Sequence, residues 1–186
     1  MRGPARVPGG GPRPGDAMTD FDSPVPADAS PPASPPMREA ARLALENVLQ
    51  GRGGPFGAVI VQAGQVIATG VNRVTENHDP TAHAEVEAIR AAARRLGTFD
   101  LSSCEIYTSC EPCPMCLGAI YWARLSALHY ACTQADADAI GFSDQFIYQE
   151  LARPQDERQL PTAQEGRAEA LAAFRAWQES VVKQPY

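Results

Sequence analysis

The sequence predicts an α/β protein in which a central sheet is packed between helices. Short β-rich runs alternate with helical segments along most of the chain, and that alternation places strands in one layer and helices on its faces. Hydrophobic residues make up 44% and charged residues 20%, the range of globular proteins. The 186 residues suffice for one domain with a sizeable core and are short for two.

Residues 1–36 hold ten of the 17 prolines and five of the 15 glycines, with almost no large apolar side chains. Such a segment cannot bury enough surface to offset its ordering entropy, so it reads as a disordered leader, and the folded domain is expected over residues 37–186. From Met37 to Gln50, Leu45, Val48 and Leu49 recur at helical spacing, and Gly51–Pro55 breaks the helix. Phe56–Gln62 and Gln65–Thr69 read as strands joined at Ala63–Gly64, a hairpin signal. Asp79–Pro80 reads as an N-cap followed by proline at the first helical position. The helix it opens should run over Ala82–Leu96, with Val86, Ile89, Ala93 and Leu96 on its inner face.

A strand is expected at Glu105–Ser109, a helix at Pro114–Trp122 and a strand at Leu125–Ala131. A short helix near Ala135–Ile140 leads into an aromatic segment, Gly141–Leu151, and Glu165–Val182 is strongly helical before a tail that ends at Tyr186. No stretch approaches the ~18 consecutive apolar residues of a membrane span. Arg2 and Arg6 are followed by proline and glycine, so no secretory signal is expected. The five cysteines are an odd number, which argues for a reducing, cytoplasmic setting over a disulfide framework. Net charge is −6 and the longest basic run is Arg94–Arg95. Long nucleic acid is therefore a poor partner, and a small neutral substrate fits better.

Chemistry concentrates in two short segments. His83-Ala84-Glu85 is followed thirty residues later by Cys113-Pro114-Met115-Cys116, with Pro112 just before it. One imidazole and two thiolates are three good ligands for a Zn²⁺ that prefers four, which leaves one corner for water. Bound zinc lowers the pKa of such a water to about 7. Proline at 114 suits the first turn of a helix, whose free N–H groups and positive dipole end favour the thiolate form of Cys113 and Cys116. In a regular helix positions i and i+2 point roughly 200° apart, so His83 and Glu85 can share a site only if His83 lies in an irregular entry turn. Glu85 is then placed to take a proton from water, give one to a ring nitrogen and give another to a departing amine. The pattern H-x-E…P-C-x-x-C is the signature of zinc-dependent base deaminases.

Cys110, Cys113 and Cys116 also read as C-x-x-C-x-x-C, which with His83 would close a four-ligand structural site. The open site is preferred because Cys110 ends a strand, so the sheet sets its direction. Cys104 and Cys132 read as small buried hydrophobes. Tyr186 is an aromatic at a terminus, which suggests docking against something.

Longer stretches carry a resemblance. Gly53-Gly54-Pro55-Phe56-Gly57-Ala58, Asn77-His78-Asp79-Pro80-Thr81-Ala82-His83-Ala84-Glu85 and Tyr107-Thr108-Ser109-Cys110-Glu111-Pro112-Cys113 resemble the cytidine-deaminase-like superfamily. Leu117-Gly118-Ala119-Ile120-Tyr121-Trp122-Ala123-Arg124 and Gly141-Phe142-Ser143-Asp144-Gln145-Phe146-Ile147-Tyr148 are similar to its bacterial guanine deaminase branch. The likeness covers about residues 38–186. It implies a three-layer α/β/α fold with a five-stranded mixed sheet, one Zn²⁺ per subunit, and conversion of guanine to xanthine and ammonia in purine catabolism. It also implies a homodimer that exchanges its C-terminal segment, here about residues 162–186, to close the partner's site. Carried over by position, Asn72 would hydrogen-bond the base and Phe56, Ala84 and Trp122 would line the pocket. Asp144 would act on the exocyclic amine, and Tyr186 would contact substrate in the other subunit.

Four other readings stand beside this one. A tRNA adenosine deaminase shares the zinc motif but must grip an anionic stem-loop, for which the acidic chain offers no basic platform. Other base deaminases differ only in pocket shape. A non-catalytic zinc module would leave Glu85 without a purpose, and a redox C-x-x-C protein would leave both His83 and Glu85 unexplained.

Overall fold

The computed structural model describes residues 31–185, of which those from Ala33 onward form one compact unit. The expected disorder of the leader and the expected contact of Tyr186 fall on residues outside the described ones, except that the leader's last two positions are helical.

Helix α1 spans Pro35–Leu49, two residues earlier than the sequence suggests. Ser34 caps it by accepting from the Met37 N–H at 3.4 Å, and Pro35 and Pro36 sit in the first turn, where no N–H is needed. Strands β1 (Gly57–Gln62) and β2 (Gln65–Val71) form the expected hairpin. Its two turn residues, Ala63 and Gly64, both have positive φ (49° and 77°), the turn that matches strand twist. A short helix α2 (Val74–Asn77) precedes α3 (Ala84–Leu96), β3 (Cys104–Cys110), α4 (Pro114–Trp122) and β4 (Ala127–Cys132). Helices α5 (Gln134–Ala139), α6 (Gln145–Ala152) and α7 (Arg167–Glu179) complete the chain.

Among the described residues the sheet has four strands in the order β2-β1-β3-β4. β1 is antiparallel to both neighbours, and β3 and β4 are parallel, so the sheet is mixed. The five strands implied by the resemblance are therefore corrected to four. After β4, Thr133 and Asp136 form a capping box that turns the chain into α5, and the aromatic segment that follows becomes α6. The outer edge of β4 is left exposed. Cys132, expected to be buried, lies exposed on that edge.

The three layers follow from alternation along β1. Val59 and Val61 face α1, where they meet Ala40, Leu43 and Tyr107. Ala58 and Ile60 face the opposite way, into a larger core with Ala84, Ala88, Ala92, Ile106 and Ile120 from α3, β3 and α4, Leu101 from the loop before β3 and Ala123 just after α4. Burying Ile60, Leu101 or Ile106 completely contributes about 1.5–3 kcal/mol each. The helices lie close to the sheet. A Cβ on Gly57 would sit 2.4 Å from the Ala40 carbonyl, and one on Gly70 would sit 2.1 Å from that of Ala84.

This closeness corrects the expected inner face of α3. Where the helix meets Gly70 only small residues fit, and the buried face consists of Ala84, Ala88 and Ala92, with Glu85 buried at its N-terminal end. Of the expected residues, Ile89 and Leu96 are partly buried and do pack against the core, while Val86 and Ala93 are only partly buried. The start of α3 is corrected too. Asp79 caps nothing in the helix; its Oδ1 accepts from the Thr81 N–H and hydroxyl, and the N-cap is His83. No helix among the described residues is long and apolar enough to cross a membrane.

Candidate metal centre and substrate pocket

The ends of several elements meet at one edge of the sheet. Gly57 opens β1 opposite Val71 at the end of β2, and Cys110 ends β3 opposite Cys132 at the end of β4. The N-termini of α3 and α4 arrive at the same edge, so free backbone N–H groups and positive dipole ends gather there.

His83 is the N-cap of α3, with extended backbone (φ −75°, ψ 155°), and Glu85 is two residues on, inside the helix. This is the irregular entry that lets both side chains reach one place. Cys113 is likewise the N-cap of α4, in extended conformation, with Pro114 at the first helical position. Cys116 lies one turn further on and is fully buried. His83 Nδ1 stands 3.6 Å from Cys113 Sγ and 3.5 Å from Cys116 Sγ, and the three ligand atoms all lie within 4.8 Å of one another.

These distances fit zinc. With Zn–N of ~2.0–2.1 Å and Zn–S of ~2.3 Å, the N···S edge of a tetrahedron is about 3.6 Å. Protonation favours a cation as well. Hydrogen bonding from Cys116, assisted by His83, overcomes the opposing effect of burial and holds the Cys113 thiol down to about 4. Donation to Cys113 and burial push Cys116 up, so the pair shares a proton that a divalent cation would replace. His83 is raised chiefly by its hydrogen bond with Cys113. Among the described residues, His83, Cys113 and Cys116 are the group of ligand side chains that could hold a metal. The alternative with Cys110 as a fourth ligand is not what the structure forms. Cys110 Sγ donates to the Thr133 carbonyl at 3.5 Å, and burial raises its thiol to about 12.

Glu85 is buried, and loss of solvent raises its carboxyl above the usual range. A carboxyl raised by burial, next to the cluster, is suited to proton transfer. Asp144, at the N-cap of α6, is also raised, first by burial and then by the Cys113 charge. Its carboxyl thus feels the charge of the cluster.

The remaining residues read from the sequence divide into two groups. Asn72 and Phe56 come together: the Asn72 N–H donates to the Phe56 carbonyl at 3.1 Å. Asn72 Oδ1 accepts from the N–H groups of Gly54 and Val74, both at 3.3 Å, so its NH₂ is left as the free half of the amide. Ala84 is buried at the first position of α3, between His83 and Glu85. Trp122 is not brought to the cluster by its own chain. It lies six residues beyond Cys116, about 9 Å along the axis of α4. There it lines an apolar groove with Val86, Ile89, Ala93 and Phe99.

Two contacts at this site escaped the sequence reading. Phe142 packs edge-on against Phe56, with ring centres 5.0 Å apart at 88°. The Tyr148 hydroxyl donates to the Pro112 carbonyl at 2.9 Å, which ties α6 to the residue before Cys113. Their signal in the sequence was only the aromatic density of the 141–151 segment.

Comparison with known proteins agrees with this geometry. Residues 33–132 match the family described as the cytidine and deoxycytidylate deaminase zinc-binding region. The chain is 53% identical to the guanine deaminase of Bacillus subtilis over 81% of its own length and 96% of the relative's. The crystal structure of that enzyme superposes with a TM-score of 0.79 over the same shares of the two chains. A solved guanine deaminase from Nitrosomonas europaea is 36% identical, with a TM-score of 0.58 over 67% of this chain and 69% of that one. The tRNA-specific adenosine deaminase of Agrobacterium fabrum is 37% identical over 64% of this chain and 79% of its own. With its donor atoms at the spacing zinc requires and its likeness extending through nearly the whole of a bacterial relative, the chain belongs to the zinc-dependent cytidine-deaminase-like family, on the branch of the bacterial guanine deaminases.

Proposed function

We infer that this protein is a zinc-dependent aminohydrolase that converts guanine and water to xanthine and ammonia. The observation that carries the reading is a buried Glu85, its carboxyl raised by loss of solvent, beside the His83, Cys113 and Cys116 donors. His83, Cys113 and Cys116 would hold the metal. Zinc, when bound there, supplies Lewis acidity that makes a water nucleophilic at neutral pH.

Glu85 accepts the proton of the attacking water, passes it to a ring nitrogen, and delivers a proton to the amine as the C–N bond breaks. Asn72 donates through its NH₂ to an acceptor on the base, because its oxygen is already held by two backbone N–H groups. Phe56 and Ala84 form apolar walls, and Asp144 receives the exocyclic amine from the opposite side. In this reading Trp122 and Tyr186 serve the site of a second copy.

A homodimer with exchanged C-terminal segments supports that placement. Helix α7 has no buried residue, and Phe174, Trp177, Val181 and Val182 on and after it are exposed. Such a stripe gains stability only when something covers it. The free cysteines accord with a cytoplasmic setting.

The 37% identity to a tRNA-specific adenosine deaminase favours a second reading, against which the net charge of −6 argues. Ammonia release from guanine, adenine, cytosine, cytidine and tRNA, with and without a chelator, separates the two. Chelator-sensitive release from guanine is expected. Release from tRNA alone would replace the proposal with the second reading.

A further inference from the structure

One fully buried polar side chain near the pocket has no part in the roles above. Asn47 lies on the inner face of α1, among Ala40, Leu43 and Ala44, where an apolar residue would ordinarily pack. Its Nδ2 donates both protons to backbone carbonyls, that of Gly54 at 3.0 Å and that of Asn72 at 2.9 Å. Two acceptors on one atom fix which half of the amide is nitrogen. Its Oδ1, also buried, has no hydrogen-bond partner among the described residues. A leucine at this position would avoid burying that oxygen, so helix packing alone does not account for the asparagine.

The two carbonyls belong to the residues that build the base-recognition wall. The Gly54 peptide is gripped from both sides, since its N–H donates to Asn72 Oδ1 and its carbonyl accepts from Asn47 and from the Phe56 N–H. Asn72 is gripped in the same manner: its carbonyl by Asn47, its N–H by Phe56, its side-chain oxygen by Gly54 and Val74. The fit around the clamp is tight enough that a Cβ on Gly53 would sit 2.2 Å from the Asn72 carbonyl and 3.1 Å from Asn47 Nδ2.

We propose that Asn47 is a positioning residue for base recognition, holding the Gly54 and Asn72 backbones so that the Asn72 amide can present only its NH₂ to the substrate. Asn47 touches no substrate and acts through Asn72. The proposal rests on the reading of Asn72 as the group that hydrogen-bonds the base. Removing the Asn47 donor leaves the Gly54 and Asn72 carbonyls buried without one of their partners, and the loop can relax until Asn72 is no longer aimed.

A double-mutant cycle in guanine kcat/KM tests this, with zinc content and thermal melting measured on every variant. Asn47→Leu is expected to keep its zinc and lower kcat/KM by roughly tenfold or more in the native background, but by less than roughly threefold when Asn72 is already alanine. An equal loss in both backgrounds would mean that Asn47 matters only to general packing, and an undiminished kcat/KM in folded Asn47→Leu would likewise overturn the proposal. Asn47→Ser, which disturbs helix packing less, runs the same cycle if the leucine variant does not fold. The reading of Asn72 fails separately, by Asn72→Ala retaining native kcat/KM on its own.

Discussion

The part of the chain before Thr133 and the part after it are built to different standards. From α1 to β4 each helix but the short α2 packs on the sheet or on another helix, and the core clusters lie wholly within this stretch. Beyond Cys132, Ala137 is the one buried residue among those described. The first part contains the metal donors and Glu85, and it coincides with the residues that match the deaminase family. The second part packs Phe142 on Phe56, bonds Tyr148 to Pro112 and sets Asp144 within electrostatic reach of Cys113, and it exposes Phe146, Leu151, Leu160, Phe174 and Trp177. The candidate metal donors thus sit in a well-packed part of the chain, while the part after it leaves large apolar side chains exposed.

The sharpest way to break that division is to attack the first part. His83→Ala should bring zinc content toward zero and guanine turnover to background, measured by metal analysis and ammonia release. Retained turnover would show that the reaction does not need the cluster. Glu85→Gln should keep one zinc per chain and lower kcat by about 10²–10⁴-fold, because it removes the proton carrier and not a donor to the metal. If zinc departs with the activity, Glu85 is a support for the cluster and the proton-transfer role fails.

The second part should fail differently. A chain ending at Pro161 is expected to keep its zinc and its cooperative melt, to sediment as a monomer, and to lose about 10²-fold in guanine kcat/KM, the scale of a misaligned site. Unchanged kinetics would remove the C-terminal segment from the pocket. Loss of zinc would show instead that the two parts fold as one.

The same division decides what could be read from the sequence. His83, Glu85, Cys113 and Cys116 were legible because their geometry is local: an extended N-cap places each first ligand, and a turn of helix places Cys116. The hairpin and α4 were legible for the same reason, through Ala63–Gly64 and Pro114. The inner face of α3 was read only in part: Ile89 and Leu96 do reach the core, but the close approach at Gly70 centres the buried face on Ala84 and Ala88, which hydrophobicity does not favour. A fifth strand came from resemblance alone; the β-rich runs themselves number four, as the sheet does among the described residues. Asn47 was missed because its partner Asn72 stands 25 residues away, across a loop, and nothing within α1 marks its amide as more than a polar break in an apolar face. Trp122 was assigned to the pocket by position in a family pattern, and one chain's geometry leaves it at the far end of α4.

The smallest expected effect lies at the seam between the two parts, where Cys110 donates to the Thr133 carbonyl. Burial holds its thiol at about 12 while Cys113 is held at about 4, and alkylation requires thiolate. At pH 6 Cys113 is almost wholly ionised, whereas only about one Cys110 in 10⁶ is, by simple titration. Iodoacetamide should therefore label Cys113 in chelator-treated protein at pH 6 and spare Cys110; lowering the pH should reduce Cys113 labelling to about half only near pH 4. Zinc should protect Cys113, because the sulfur that reacts is the sulfur that binds. Cys110→Ser should leave zinc content and kcat within about twofold of native, as expected for a side chain that bonds to backbone and not to the metal. Labelling of Cys110 alongside Cys113, or loss of zinc in the serine variant, would place a third sulfur in the cluster. The corner that the reacting water needs would then be taken, and the contrast between a catalytic first part and a closing second part would have to be redrawn around a structural metal.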